Sequence, residues 1–174
     1  LDQIIPWMHN MNGTLENKLG EKLLKHGLTL ATAESCTGGL VGNLITNVAG
    51  SSRYYLGGVV AYSYEAKVDL LSVSWDTLNV HGAVCADTVK EMAIGARCAL
   101  KSNVAVSLSG IAGPDGGTPQ KPIGTVWLGL SSKDGSWTRQ YTFSGQRMEI
   151  KMQAAQEALK FVIEYLDGEI EEAD

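Results

Sequence analysis

Few of the features that usually betray a protein's chemistry are present in this chain. Cysteine occurs three times (Cys36, Cys85 and Cys98), an odd number without metal-ligand spacing. That excludes a disulfide-stapled scaffold and a cysteine zinc site, and it fits a reduced, cytoplasmic protein. Lys and Arg number 14 against 19 Asp and Glu, for a formal charge of −5. A nucleic-acid-binding surface needs the opposite balance, so no nucleic-acid partner is expected. No apolar run approaches the roughly 18 residues of a membrane span, and the opening LDQIIPWMHNMNG lacks the basic start and apolar core of a secretory leader. The histidines, His9, His26 and His81, stand apart, and no Gly-x-Ser-x-Gly elbow occurs. A Ser-His-Asp hydrolase is therefore unsupported. Neither a phosphate loop ending in Gly-Lys-Ser/Thr nor a dinucleotide fingerprint is present.

What is there has the profile of a folded domain. The chain has 174 residues, 44% hydrophobic and 19% charged, enough to bury about two thirds of its unfolded surface in one core. No repeat or linker divides it. We read residues 1–174 as a single domain, with 1–13 an N-terminal extension and 168–174 an acidic tail.

Periodicity alternates along the chain. Helical spacing of Leu15, Leu19, Leu23 and Leu24 predicts a helix over 14–26, capped by Thr14 and stopped by Gly27. A buried strand is predicted over 28–33, a helix starting on glycines over 38–48, a strand over 57–63 and a helix from Glu65. Residues 84–101 read as a helix with Val89, Met92, Ala93 and Ala96 inward, and 103–110 as a third buried strand. Two alternating segments flank Lys133-Asp134-Gly135, an Asp-Gly hairpin turn, and a final helix covers 147–166. This order predicts an α/β fold of three layers, α/β/α, around a mixed, mostly parallel five-stranded sheet.

Ligands of such sheets bind beyond the carboxyl ends of the strands. Three ends are rich in hydroxyls and glycines: Glu34-Ser35-Cys36-Thr37-Gly38-Gly39, Tyr62-Ser63-Tyr64-Glu65-Ala66-Lys67, and Ser109-Gly110 with the loop after it. Each has a bland reading. Ser35 or Thr37 would serve as an ordinary helix cap. Yet two glycines in a first turn sacrifice about 1 kcal/mol of helix propensity each, a cost explained if bare N–H groups must approach an anion or an oxyanion. Lys67 reads alone as a surface lysine. An ordinary lysine, with a pKa of about 10.4, is protonated at neutral pH, so service as a base requires burial or nearby positive charge. Tyr62 is either a core aromatic or a phenol that relays a proton. Cys36 is a small filler, or a thiol activated by a helix start. Arg147 is a solvated charge or a clamp for phosphate.

Seven segments in order, TAESCTGG, GSS, GGVVAYSYEAK, HGAV, SGIAGPDGG, KPIGTVW and FSGQR, make the chain resemble the CinA carboxy-terminal domain family, whose single-domain members include nicotinamide-nucleotide amidases. The likeness runs from about Thr14 to Tyr165. It implies the three-layer fold already read from the pattern. It also implies hydrolysis of nicotinamide mononucleotide to nicotinate mononucleotide and ammonia, with no metal and no cofactor. Carried over by position, it makes Ser35 the nucleophile, Tyr62 and Lys67 its activating partners, and Ser109 and Arg147 substrate-binding residues. Thr37, Gly38, Gly39 and Gly110 are expected to line the substrate. Gln146 and Tyr64 depart from the family pattern, which has an acidic residue or Asn at the first and Asn at the second. An edge strand such as 136–143 is expected to support a homodimer. The competing expectation is a nucleotide-binding module without catalysis.

Overall fold

The computed structural model describes residues 13–170. The foreseen extension at 1–13, apart from Gly13, and the tail beyond Ile170 lie outside the described residues. The elements in order are α1 (Leu15–His26), β1 (Leu30–Glu34), α2 (Leu40–Thr46), β2 (Tyr55–Val60), α3 (Tyr64–Leu71), α4 (Trp75–His81), α5 (Ala86–Leu100), β3 (Val104–Gly110), β4 (Thr125–Ser131), β5 (Ser136–Thr142) and α6 (Arg147–Asp167). A single turn of 3-10 helix at Ser51–Arg53 precedes β2.

One sheet of five strands runs in the order β2-β1-β3-β4-β5. β1 pairs in parallel with both β2 and β3, while β4 and β5 continue antiparallel. Helices cover both faces, as the mixed sheet requires. Leu19 and Leu23 of α1, Val41 and Ile45 of α2, and Phe161 and Val162 of α6 close over Val104, Val106, Val126 and Leu128 on one face. Leu71 of α3, Leu78 of α4, and Met92 and Ala96 of α5 cover Ala31, Ala33 and Ala105 on the other. Every residue of β1 is buried, because no edge or open face reaches it. The α/β/α reading therefore stands.

Local signals explain most boundaries. The Thr14 hydroxyl accepts the N–H of Asn17 at 3.4 Å, and α1 ends on Gly27 at φ 64°, a left-handed stop that glycine adopts without strain. The β4–β5 turn closes through Ser132 N–H to the Gly135 carbonyl, 2.9 Å. Several boundaries moved: β1 is Leu30–Glu34 rather than 28–33, and α2 is Leu40–Thr46 rather than 38–48. β2 begins at Tyr55 and stops at Val60 rather than spanning 57–63, so Tyr62 lies past the strand and is 62% exposed rather than in the core. The strand passes through Gly58, where an added Cβ would lie 2.2 Å from the Thr32 hydroxyl; β1 and β2 pair closely there only because the side chain is missing. α4 has no counterpart among the sequence expectations. It is a seven-residue helix capped by the Ser74 hydroxyl, with a single buried residue, Leu78, and its start is also held by Glu91, which accepts from Ser74 N–H at 2.7 Å and Thr77 Oγ1 at 2.6 Å.

The connection from β1 to β2 passes over one face through α2, and that from β2 to β3 over the other through α3, α4 and α5. The chain thus leaves β1 one way and returns beside it on the opposite layer, which opens a crevice at the carboxyl ends of β1 and β3.

Candidate active site

Ser35 is the first residue after β1, tied to the neighbouring strand by its N–H to the Leu108 carbonyl at 3.1 Å. On the other side, Ala61 N–H reaches the Glu34 carbonyl at 2.9 Å. The backbone carrying Ser35 is thus fixed between the ends of β2 and β3. The side chain of Glu34, 1% exposed, turns under the corner into the start of α2. Its Oε2 accepts from Thr37 Oγ1 at 2.7 Å, Gly39 N–H at 3.0 Å and Val41 N–H at 3.1 Å, and its Oε1 from Gly42 N–H at 2.9 Å. A carboxylate at a helix N-terminus satisfies donors the helix cannot use and opposes the positive end of its dipole.

This arrangement corrects one expectation. The anion site at the start of α2 exists, but the chain fills it with its own Glu34. Gly39 N–H is committed to that carboxylate, and Gly38 N–H to the Ser35 carbonyl at 3.1 Å. Thr37, Gly38 and Gly39 accordingly shape the corner without lining the cavity above it. The N–H groups of Cys36 and Thr37 have no acceptor elsewhere in the chain among the described residues.

Lys67 sits in the second turn of α3, 1% exposed, and reaches across to β1. Its Nζ lies 3.0 Å from Ser35 Oγ, 2.8 Å from the Ala61 carbonyl and 3.4 Å from the Tyr62 carbonyl. No carboxylate among the described residues pairs with it. Burial holds its pKa below the ordinary lysine value, with Cys36 pulling weakly the other way. Nζ donates to all three neighbours as the bonds stand; a neutral amine would keep two N–H groups for the carbonyls and turn its lone pair to the Ser35 hydroxyl.

A cavity of about 200 Å³ opens over this pair, lined by Ser35, Lys67, Ser109, Gly110, Tyr62 and Arg147, with Cys36 and the loop residues Ala83 and Val84 at its edge. Six of the nine site residues expected from the sequence therefore meet here. Ser109 is 1% exposed, and its hydroxyl has no protein partner among the described residues, so it faces the cavity with a hydrogen bond to give. Tyr62 is placed differently from a relay. Its phenol accepts from Arg147 Nη2 at 3.1 Å, and Arg147 Nη1 also donates to the Gly113 carbonyl at 2.6 Å. The guanidinium is thereby held at the mouth, and the direct contact of Lys67 with Ser35 needs no intermediary. Cys36 is buried and its thiol is pushed up to about 11, chiefly by that burial. At neutral pH it is a thiol rather than a nucleophilic thiolate.

The departures from the family pattern acquire roles. Gln146 is the N-cap of α6, its N–H bonded to Glu149 Oε2 at 2.6 Å. Tyr64 Oη accepts from Ala83 N–H at 3.3 Å and holds the 82–84 loop beside the cavity. His26 and His81 do not line the cavity, and His9 lies outside the described residues. A larger cavity, about 860 Å³, lies at the other end of the sheet between His26, Arg97, Trp137 and Tyr165; the Ser102 hydroxyl in its lining is spent on the Val104 carbonyl at 2.8 Å, and no hydrogen bond among the described residues joins it to His26. Among the described residues no group of His, Cys, Asp and Glu has metal-binding geometry, and no helix is long and apolar enough to cross a membrane.

Comparison with known proteins agrees with the fold. The family model of the CinA C-terminal domain matches residues 12–166. The chain is 48% identical over 147 residues to the nicotinamide-nucleotide amidohydrolase PncC of Escherichia coli K12, covering 84% of this chain and 89% of that one. It is 46% identical over 152 residues to a CinA-like protein of Citrifermentans bemidjiense, covering 87% of this chain but 37% of the relative. A Halothermothrix orenii relative, 45% identical, is likewise spanned over 37% of its length. The crystal structure of the competence/damage inducible protein CihA from Agrobacterium tumefaciens superposes with a TM-score of 0.85 at 37% identity, over 88% of this chain and 93% of that one. With a match across nearly all of its described fold, the chain belongs to the CinA C-terminal domain family.

Proposed function

We propose that the chain is an amidase that hydrolyses nicotinamide mononucleotide to nicotinate mononucleotide and ammonia, with Ser35 as its nucleophile and Lys67 as its base. The observation that carries this reading is the 3.0 Å approach to the Ser35 hydroxyl of a buried lysine that, among the described residues, pairs with no carboxylate and touches no other hydroxyl. Relatives of similar length carry the name nicotinamide-nucleotide amidohydrolase, which supports the substrate.

In this mechanism Ser35 Oγ attacks the carboxamide carbon while neutral Lys67 takes the hydroxyl proton. The oxyanion that forms faces the Cys36 N–H and the Ser109 hydroxyl, both at the cavity; donors of this kind are commonly worth about 3 kcal/mol each. Lys67, now an ammonium, hands its proton to the departing nitrogen, and ammonia leaves. Water then attacks the Ser35 ester, Lys67 removes one of the water's protons, and that proton returns to Ser35 Oγ as the carboxylic acid departs and gives its remaining proton to solvent. The pyridinium ring is neither oxidised nor reduced, so it is substrate and not cofactor. The cavity of about 200 Å³ is below the 300 Å³ or so of a full ligand pocket; it takes the ring and its amide, and the ribose phosphate lies at the mouth near Arg147. The same reading places the protein in the cytoplasm, in keeping with its free cysteines, as one domain that associates as a homodimer through an exposed edge strand such as β5.

The test is ammonia release from nicotinamide mononucleotide. Ser35→Ala is expected to abolish it while the circular dichroism spectrum stays unaltered. Undiminished turnover would reject this nucleophile, and tight binding without product in the parent protein would favour the non-catalytic module.

A further inference from the structure

We propose that Lys151 is a specificity-determining residue that, together with Arg147, grips the phosphate monoester of the substrate and makes the site select a nucleotide over its nucleoside. The inference rests on the function proposed above and extends it to a residue that the sequence did not single out.

Lys151 stands one helical turn after Arg147 on α6. Nothing in its own helix explains it. Its neighbours at three and four positions are Arg147, Met148, Ala154 and Ala155, so no acid is in register to pair with it and the contact on its N-terminal side is a like charge. Glu149 is two positions away, on another face, with its carboxylate engaged by Gln146 N–H. Among the described residues Lys151 forms no ion pair. Arg147 also opens the first turn of a 21-residue helix, where the dipole favours anions and disfavours positive charge, and Lys151 follows one turn on. A sequence that places two like charges a turn apart, unpaired, bears a cost on both counts. An anion bound between them removes it.

Position points the same way. Lys151 Nζ lies 3.9 Å from where a side chain at Gly38 would begin. Gly38 is in the left-handed region at φ 64°, so the active-site corner presents bare backbone to the ammonium. Its charge is felt at the Cys36 thiol, which edges the cavity. Arg147 lines the same cavity, with its guanidinium spent only on neutral acceptors. In a chain of net charge −5, Lys67, Arg147 and Lys151 gather at one corner, and the nearest buried acid, Glu34, is fully engaged in capping α2. A dianionic phosphate is the ligand group that matches two cations one turn apart.

The test compares the parent, Lys151→Met and Lys151→Arg on nicotinamide mononucleotide and on nicotinamide riboside, the same molecule without phosphate. The ratio of kcat/KM for nucleotide over nucleoside is expected to fall about tenfold or more in Lys151→Met, the discrimination that one hydrogen bond to a charged group supplies. The fall should come mainly through KM, with Lys151→Arg recovering most of it. Calorimetric binding of nicotinate mononucleotide should weaken in parallel. An unchanged ratio with unchanged product affinity would overturn the assignment. If the parent released no ammonia yet product affinity still depended on Lys151, the phosphate site would stand and the amidase reading would fall.

Discussion

The carboxylate of Glu34 is the most heavily used acceptor in the active-site corner, and Glu34→Gln tests whether that corner is built as described. The side chain takes four hydrogen bonds, three on Oε2 and one on Oε1. An amide offers one oxygen. With that oxygen in the Oε2 position, its nitrogen faces Gly42 N–H, donor against donor, and a buried donor left unmade costs about 1–3 kcal/mol. The three remaining bonds lose their charge assistance, about 0.5 kcal/mol each, and the interaction with the helix dipole, about 1 kcal/mol in a partly buried site, is lost. Flipping the amide is worse, since three donors would then face the nitrogen. Together these amount to about 4 kcal/mol, which for a chain of this length lowers Tm by about 10 °C. That is survivable within the usual 5–15 kcal/mol or so of total stability. Urea and thermal denaturation measure the first effect. Ammonia release, assayed well below the new Tm, measures the second, a fall in kcat as the Ser35 backbone loses its support. A variant that melts within about 2 °C of the parent and keeps full activity would refute the reasoning.

Two further outcomes follow from the same geometry. Lys67 must be neutral to take the Ser35 proton, so kcat/KM rises with pH through its burial-lowered pKa. Since the folded chain releases that proton at lower pH than the unfolded one, stability also rises with pH between the lowered value and the ordinary lysine value of about 10.4. Lys67→Met should abolish the rate and flatten this slope, and a parent profile flat from about pH 5 to about pH 9 would count against lysine as the base. Gly95 of α5 has its missing side chain filled by the Leu71 carbonyl, 1.9 Å from an ideal Cβ. Gly95→Ala should therefore destabilise by about 2 kcal/mol or more through overpacking, despite gaining about 1 kcal/mol of helix propensity, and should displace α3 with Lys67 on it; a raised urea midpoint would contradict the close approach.

The readability of this chain varied with how local each cause was. α5 announces itself because Val89, Met92, Ala93 and Ala96 recur at helical spacing and are all fully buried. The hairpin follows from Asp134-Gly135, and the meeting of Ser35, Lys67 and Ser109 follows from the rule that strand ends converge. α4 did not show, because one buried leucine makes no period; the Ser74 hydroxyl caps it locally, and Glu91, 17 residues from Ser74, also holds its start. Glu34 drew no role from the sequence for a related reason: its bonds run forward as far as Gly42, beyond the three-residue reach of ordinary capping signals. An acid closing a buried strand just before a glycine-started helix is the available clue. Lys151 was passed over because it matches no motif; only the absence of an acid at helical spacing marks it.

The plug that Glu34 makes in α2 has a consequence for how such a site can change. With that end of the helix already neutralised from within, the proposed roles fall on separate layers of the molecule: in that reading the sheet ends and α3 would supply the reactive pair, and α6 on the opposite layer would supply the grip on the distal part of the substrate. Drift along the exposed first turns of α6 would then retune what is held without disturbing how it is cut, whereas any alteration beneath Ser35 strikes both the chemistry and the integrity of the fold at once.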